Sequence, residues 1–286
     1  MTRLALPPFT TVTNRNDLTE HDTEFMPDGA ALVLTPELVE MQQIAPGVLR
    51  RRRIIVIDGA PGCGKSIAKA ILARGCPVRT ATFTMPDRDM ISRGTTFMAA
   101  AHEAVAGRPV PKLTQGQHEN ELRHLLTLEP LVLIVDEAQN ASTQVLKNLR
   151  TMTERPNTKF ALALFGHGVL DIIRREQMLW TWRGYVREFR PLVTPHELAT
   201  APASQQEQLS RCAALLPFLA ALHPRLAKTS TGLLVETNRV YAHGLMRQWM
   251  TLLEFLLDIP GDAGFTRQEL IDGISLLDTK APRFAA

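Results

Sequence analysis

Cysteine is scarce: Cys63, Cys76 and Cys212 are the three in 286 residues. Cys63 lies in a glycine-rich stretch, and no zinc-ligand spacing surrounds the other two. An odd, sparse count excludes a disulfide framework and fits a reduced, cytoplasmic protein. Long apolar runs are also missing. Leu131–Val135, Phe160–Phe165 and the proline-interrupted Ala213–Leu222 fall well short of the roughly 20 residues that span a bilayer. Met1–Phe9 has one arginine and a short apolar stretch broken by two prolines, which is not a signal-peptide core. The expectation is a soluble protein with no membrane partner. Charge of one sign is lacking too. Lys and Arg number 32 against 29 Asp and Glu, a net charge of +3. That excludes a polybasic binder but leaves room for a local basic patch. A hydrophobic content of 45% with 21% charged residues argues against global disorder and for one large domain or two small ones.

Residues 1–30 are polar and rich in Thr, Asp, Asn and Pro, and read as an extended or partly disordered arm. Thr35-Pro36-Glu37 opens a short helix with Thr35 as N-cap and Pro36 in the first position; Pro46-Gly47 ends it. From Arg53 the pattern changes to strands alternating with helices. Strands are expected at 53–58, 78–83, 131–135 and 160–165, with one more at Arg190–Val193. Helices are expected at 66–74, 89–106, 117–128 and 141–154. Apolar strands alternating with helices imply a parallel sheet covered on both faces. After two prolines in Thr194–Pro202 only helical patterns follow: 205–216, 218–226, 232–257 and 267–277, the last opened by a Thr266/Glu269 capping box. The expected organisation is an arm over 1–34, an αβα core over 35–200, and a helical lid with its tail over 201–286.

Gly59-Ala60-Pro61-Gly62-Cys63-Gly64-Lys65-Ser66 matches G-x-x-x-x-G-K-[ST] at every fixed position, with a strand before it and a helix, entered through Ile67, after it. Glycines let the backbone N–H groups curl inward into an anion nest at a helix N-terminus. Lys65 is the residue to reach the β- and γ-phosphates of ATP, and the Ser66 hydroxyl to ligate Mg²⁺. Leu131-Val132-Leu133-Ile134-Val135-Asp136-Glu137 is an apolar strand ending in two carboxylates, 71 residues beyond Lys65. Asp136 fits the metal-side acid, and Glu137 stands where a general base can polarise the attacking water. A GTPase N-K-x-D and a transporter LSGGQ segment are both absent, and a small-molecule kinase usually lacks such an acid pair. These motifs point to an ATPase.

Adjacent acids on a P-loop core followed by a helical lid resemble the AAA+ superfamily. The run Val135-Asp136-Glu137-Ala138-Gln139, with the short core and small lid, resembles the transposition ATPases, the MuB, TniB and TnsC group, with the IstB-type loaders as cousins. The resemblance covers about residues 35–200 and extends more loosely to the lid. It implies a parallel-sheet core with a small helical lid, ATP and Mg²⁺ as ligands, and a ring or helical filament of subunits. It also implies sequence-independent binding of duplex DNA and a transposase as partner. Three arginine or histidine roles follow from it. His167, after the strand 160–165, takes the place of the polar residue that orients the attacking water, where Asn, Ser or Thr is more usual. Arg183, or else Arg187, in the segment 180–190 takes the place of the arginine inserted into a neighbouring subunit's site. Arg239 is the lid arginine, although it stands further along its helix than usual. DNA contacts are expected between the second and third core strands, where Arg88, Arg93, Arg108 and Lys112 are available, as salt-sensitive phosphate contacts.

Arg50-Arg51-Arg52-Arg53 is the densest basic run; it can meet DNA, an acidic partner or a neighbouring subunit, or simply cap the sheet edge. A helicase-loader-like ATPase, a secretion-linked one, and a nucleotide-gated interaction module with negligible hydrolysis are the alternative readings.

Overall fold

The computed structural model describes residues 10–12, 26–27, 29–48, 53–85, 94–154, 157–203 and 215–278. Two short strands come first, β1 (Thr10–Val12) and β2 (Leu32–Leu34), paired antiparallel. Helix α1 (Pro36–Ile44) follows and runs into a single 3-10 turn, Ala45–Gly47. Then the alternation begins: β3 (Ile54–Gly59), α2 (Lys65–Gly75), β4 (Arg79–Thr84), α3 (Gly94–Ala106), α4 (Gln115–Leu128), β5 (Leu131–Asp136), α5 (Thr143–Thr153), β6 (Phe160–Gly166), α6 (Val169–Arg175), α7 (Gln177–Trp182) and β7 (Arg183–Phe189). The remainder is helical: α8 (Pro195–Thr200), α9 (Leu215–Leu222), α10 (Pro224–Lys228), α11 (Thr231–Thr237), α12 (Met246–Leu257) and α13 (Arg267–Leu277).

The five-stranded sheet has the order β4-β5-β6-β3-β7, and all its pairings are parallel. Every residue of β3 and β6 is buried, and so is β5 up to Val135. Such strands carry no polar alternation because helices cover both faces. Parallel pairing forces each connection to cross over through a helix, so the loops that leave the strands' C-terminal ends all gather along one edge of the sheet. That edge carries Gly59, Asp136 and Gly166.

By contact density the chain divides into two compact units: residues 41–61 with 65–189, and residues 1–40 with 62–64 and 190–286. The first is built on the sheet, with Phe97, Leu122, Leu126, Leu146 and Leu149 among the helix residues buried against it. The second has its own core around Trp249, where Leu252, Leu253 and Leu256 of α12 meet Leu215, Phe218, Leu219, Leu270 and Ile274. The Thr266/Glu269 capping box is formed as expected.

Three local expectations are corrected. The last core strand is Arg183–Phe189, not Arg190–Val193. It lies at a sheet edge beside β3, only Phe189 of it is buried, and its arginines interrupt any apolar run. The single helix expected over 232–257 is broken. α11 passes into a π-turn, Asn238–Ala242, and the chain reverses through left-handed His243 (φ 48°) before α12 starts at Met246. Buried Asn238 stabilises the break, its Oδ1 accepting from Gly244 N–H at 2.7 Å and Trp249 Nε1–H at 3.3 Å. The helix expected over 218–226 is likewise two, α9 and α10, parted at His223-Pro224, because a proline cannot continue a helix from the turn before it. Most of the helix expected over 205–216, Cys212 included, lies outside the described residues, as does most of the 1–34 arm.

Asp58 joins the strand that feeds the glycine-rich loop to the helix after β6. Its buried carboxylate accepts the N–H of Gly168 at 2.8 Å and of Leu170 at 2.7 Å, capping the N-terminus of α6. Asp58→Ala removes two hydrogen bonds to a charged acceptor and is expected to cost roughly 3 kcal/mol, read as a lowered midpoint in chemical denaturation; Asp58→Asn, which keeps one acceptor oxygen, is expected to cost less.

His102 of α3 and His118 of α4 meet inside the first unit, Nδ1 to Nδ1 at 3.1 Å, so one ring donates and the other accepts. Burial first, and the neighbouring His102 second, hold the His118 pKa below its ordinary 6.5. A depressed histidine pKa contributes stability that is complete above the ordinary value and is lost as pH falls below it, because the unfolded chain then binds more protons. The melting temperature is expected to be level near pH 8 and to drop below about pH 6.5, with a shallower drop in His118→Gln, measured by thermal unfolding across pH 8 to 5.

Candidate nucleotide site

The glycine-rich loop links β3 to α2. Gly62 and Gly64 take left-handed backbone, φ 87° and 89°, which a side chain would strain. The turn they make delivers Lys65 at the first position of α2. The Lys65 ammonium donates to the carbonyls of Gly59 at 2.6 Å and Ala60 at 2.9 Å, so it is held over the start of the loop. Cys63 is buried within it and Ser66 is exposed beside Lys65 on the first turn of α2. Ala60, Pro61 and Ile67 complete the segment, with Pro61 at the exposed crest.

Asp136 and Glu137 stand two strands away from β3, at the end of β5, and β6 separates the two motifs. One Asp136 oxygen, Oδ2, meets Lys69 Nζ at 2.5 Å, and the other, Oδ1, accepts the Glu137 N–H at 3.0 Å. Lys69 sits one turn beyond Lys65 on α2, so this ion pair fastens the loop's helix to the acidic strand end. Lys69 belongs to neither sequence motif. The available signal was its spacing of four from Lys65, which places both on one helix face. Glu137 is exposed and left-handed, φ 51° and ψ 38°. Its Oε2 accepts from Gln139 Nε2 at 2.5 Å, and Gln139 Oε1 accepts the His167 N–H at 3.1 Å. His167 therefore stands at the end of β6 next to the acidic pair, with its ring exposed.

Fit to Mg²⁺-nucleotide can be judged from the donors. A loop of left-handed glycines at a helix N-terminus suits phosphate oxygens. A hydroxyl on Ser66 and a carboxylate on Asp136 are hard oxygen donors of the kind Mg²⁺ takes alongside phosphate and water. The residues fit the group.

The candidate arginines lie in both units. Arg239 is exposed on the π-turn. The arginine next to the loop is Arg247, at the second position of α12, in the unit that takes in Gly62–Gly64. Its N–H donates to Gly62 O at 3.2 Å, and a Cβ built on Gly62 would lie 3.2 Å from Arg247 Cβ. Gly244-Leu245-Met246-Arg247 is the sequence signature of this helix start. Arg183 begins β7 opposite Ile54, the first residue of β3, so it lies at the sheet edge away from the phosphate loop. Its guanidinium stacks 3.5 Å from the Trp180 ring centroid and donates to the Trp180 carbonyl. Arg187 lies further along β7, opposite Ile57.

Arg108 and Lys112 are exposed in the connection between α3 and α4. Arg88 and Arg93 lie outside the described residues, as do Arg50, Arg51 and Arg52. Arg53 immediately precedes β3, where a Cβ on Gly184 would meet its own Cβ at 2.7 Å. Among the described residues no three His, Cys, Asp or Glu side chains cluster to hold a metal, and no helix is long and apolar enough to cross a membrane. Burial pushes the Cys76 thiol up to about 11, which leaves it a poor nucleophile.

Residues 49–172 match a family model described as AAA domain. No curated protein matches the chain. Among solved structures, the chain is similar to the Aeropyrum pernix ORC2 protein in its ADPNP-ADP complexes, with TM-score 0.58 and 13% identity over 96% of this chain and 74% of that one. It is similar to the Aeropyrum pernix ORC1 protein in complex with DNA, with TM-score 0.58 and 15% identity over 89% of this chain and 69% of that one. A Thermotoga maritima RuvB mutant gives TM-score 0.50 and 13% identity over 86% of this chain and 70% of that one. Parallel five-strand sheet, flanking helices, phosphate loop and helical C-terminal region together make this the fold of a P-loop AAA+ core.

Proposed function

We propose that the protein is an ATPase that binds ATP with Mg²⁺ and assembles as a ring or filament on duplex DNA, where its nucleotide state controls a partner. The observation that carries the reading is the meeting of the two nucleotide motifs through the Lys69–Asp136 ion pair, with Glu137 next in the chain. The loop N–H groups and Lys65 bind the β- and γ-phosphates. Ser66 and Asp136 would hold Mg²⁺, which would supply positive charge against the phosphates. Glu137 orients the attacking water and takes its proton. His167 stands beside that water's approach, and Arg239 is the candidate lid arginine. Arg183, at the far edge of the sheet, serves a neighbouring subunit's site rather than its own, with Arg187 as the second choice.

DNA binding draws on exposed Arg108 and Lys112 and on the ORC1 protein of this fold having been solved with DNA. Repetition of a weak per-subunit contact along an assembly suits a chain whose net charge is only +3. The finer reading, control of transposition through a transposase, is supported by the Asp136-Glu137-Ala138-Gln139 run.

Phosphate release and duplex-DNA binding test the reading together. Glu137→Gln is expected to bind nucleotide and to lose turnover about 100-fold or more, whereas Lys65→Ala loses nucleotide binding. Duplex DNA is expected to bind only with ATP or a non-hydrolysable analogue and to release steeply with salt. Arg108→Ala with Lys112→Ala is expected to reduce the salt slope by about two per subunit. Absence of turnover, or of ATP-dependent DNA binding at low salt, overturns the proposal. Capture of a replicative helicase instead of a transposase overturns its finer part.

A further inference from the structure

One polar side chain at the acidic end of the sheet has no part in the chemistry above. Gln139 lies in the 3-10 turn Ala138–Asn140 that follows Glu137 directly. Its amide is bound at both ends, donating to Glu137 Oε2 and accepting from the His167 backbone N–H. A primary amide is the side chain for that place, since it offers a donor and an acceptor two atoms apart. A glutamate would set two carboxylates against each other, and a leucine would leave both partners unmatched. The fold also makes room for it. A Cβ built on Gly166 would lie 2.0 Å from Gln139 Oε1 and 3.2 Å from the Ala138 nitrogen, so the glycine that ends β6 is what admits the amide. The turn to which Gln139 is tied is itself fixed, because Asp58 holds the N–H groups of Gly168 and Leu170 just beyond it.

We infer that Gln139 is a positioning residue for Glu137, fastening the glutamate to the turn after β6. It occupies one carboxylate oxygen and leaves the other to take the proton of the attacking water. The inference deepens the ATPase reading and rests on it.

The test uses the full chain, with Gln139→Leu, Gln139→Glu and Gly166→Ala compared with wild type and with Glu137→Gln. Readouts are steady-state kcat and KM, affinity for a fluorescent ADP analogue, and melting temperature. Gln139→Leu is expected to lower kcat about tenfold or more while KM and ADP affinity stay within about twofold, the split expected of a group acting on the water-activating step. Gly166→Ala is expected to lower kcat in the same way by displacing the amide. Gln139→Glu is expected to be the slowest at pH 8, and its rate relative to wild type to rise towards pH 6 as the new carboxyl gains a proton and donates again. The other titratable groups around it are Glu137, Asp136 with Lys69, Asp58 and the His167 ring. All of them are present in both proteins, so the ratio reports the carboxyl pair that residue 139 forms with Glu137. An inert Glu137→Gln beside a Gln139→Leu with wild-type kcat overturns the inference and leaves the ATPase reading standing. A Glu137→Gln that still turns over overturns the reading, and the inference with it. Equal losses in kcat and ADP affinity in both Gln139 variants show a merely structural residue and also overturn the inference.

Discussion

The buried carboxylate of Asp58 sits immediately before the phosphate loop and takes two N–H groups from the start of the helix after β6. Strand β3 ends in the loop and β6 ends in Gly166-His167, so this one side chain sets where the two ends stand. A buried carboxylate without such partners would be costly. Here the N-terminus of a helix supplies both the hydrogen bonds and a favourable dipole. What lies on the other side of the turn, Gln139 and through it Glu137, inherits that placement. The site is thus a chain of hydrogen bonds from β3 across β6 to the acidic residues of β5.

A second connection runs the other way, through charge. Lys65 is engaged with loop carbonyls, and Lys69, one turn on, with the Asp136 carboxylate. The helix that carries the phosphate loop is therefore tied at one point to its own loop and at another to the far motif. If nucleotide with a divalent cation binds as proposed, both lysines would exchange partners, which is the differential contact by which a ligand shifts a structural equilibrium.

The sheet was legible because three of its strands are continuous apolar runs, a pattern that only two-sided burial explains. The phosphate loop and acidic pair were legible because their residue types are dictated by local backbone geometry and chemistry. β7 was not, since an edge strand with arginines on it satisfies neither the alternating nor the continuous pattern. The start of α12 was hidden for a different reason. The apolar residues before and after 243 keep a helical spacing, and the break comes from the hydrogen bonds of Asn238, which no periodicity reports. Lys69 and Gln139 act through partners distant in sequence or through an amide's two ends, and a linear reading gives them no weight.

Glu137 is left-handed at φ 51°, a conformation that disfavours side chains other than glycine, asparagine and aspartate. The cost for a non-glycine residue is of the order of 1 kcal/mol. Folding alone would be better served by glycine there, and a chain optimised for stability would replace the glutamate first. If Glu137 activates water as proposed, stability and turnover would pull the sequence in opposite directions at this position.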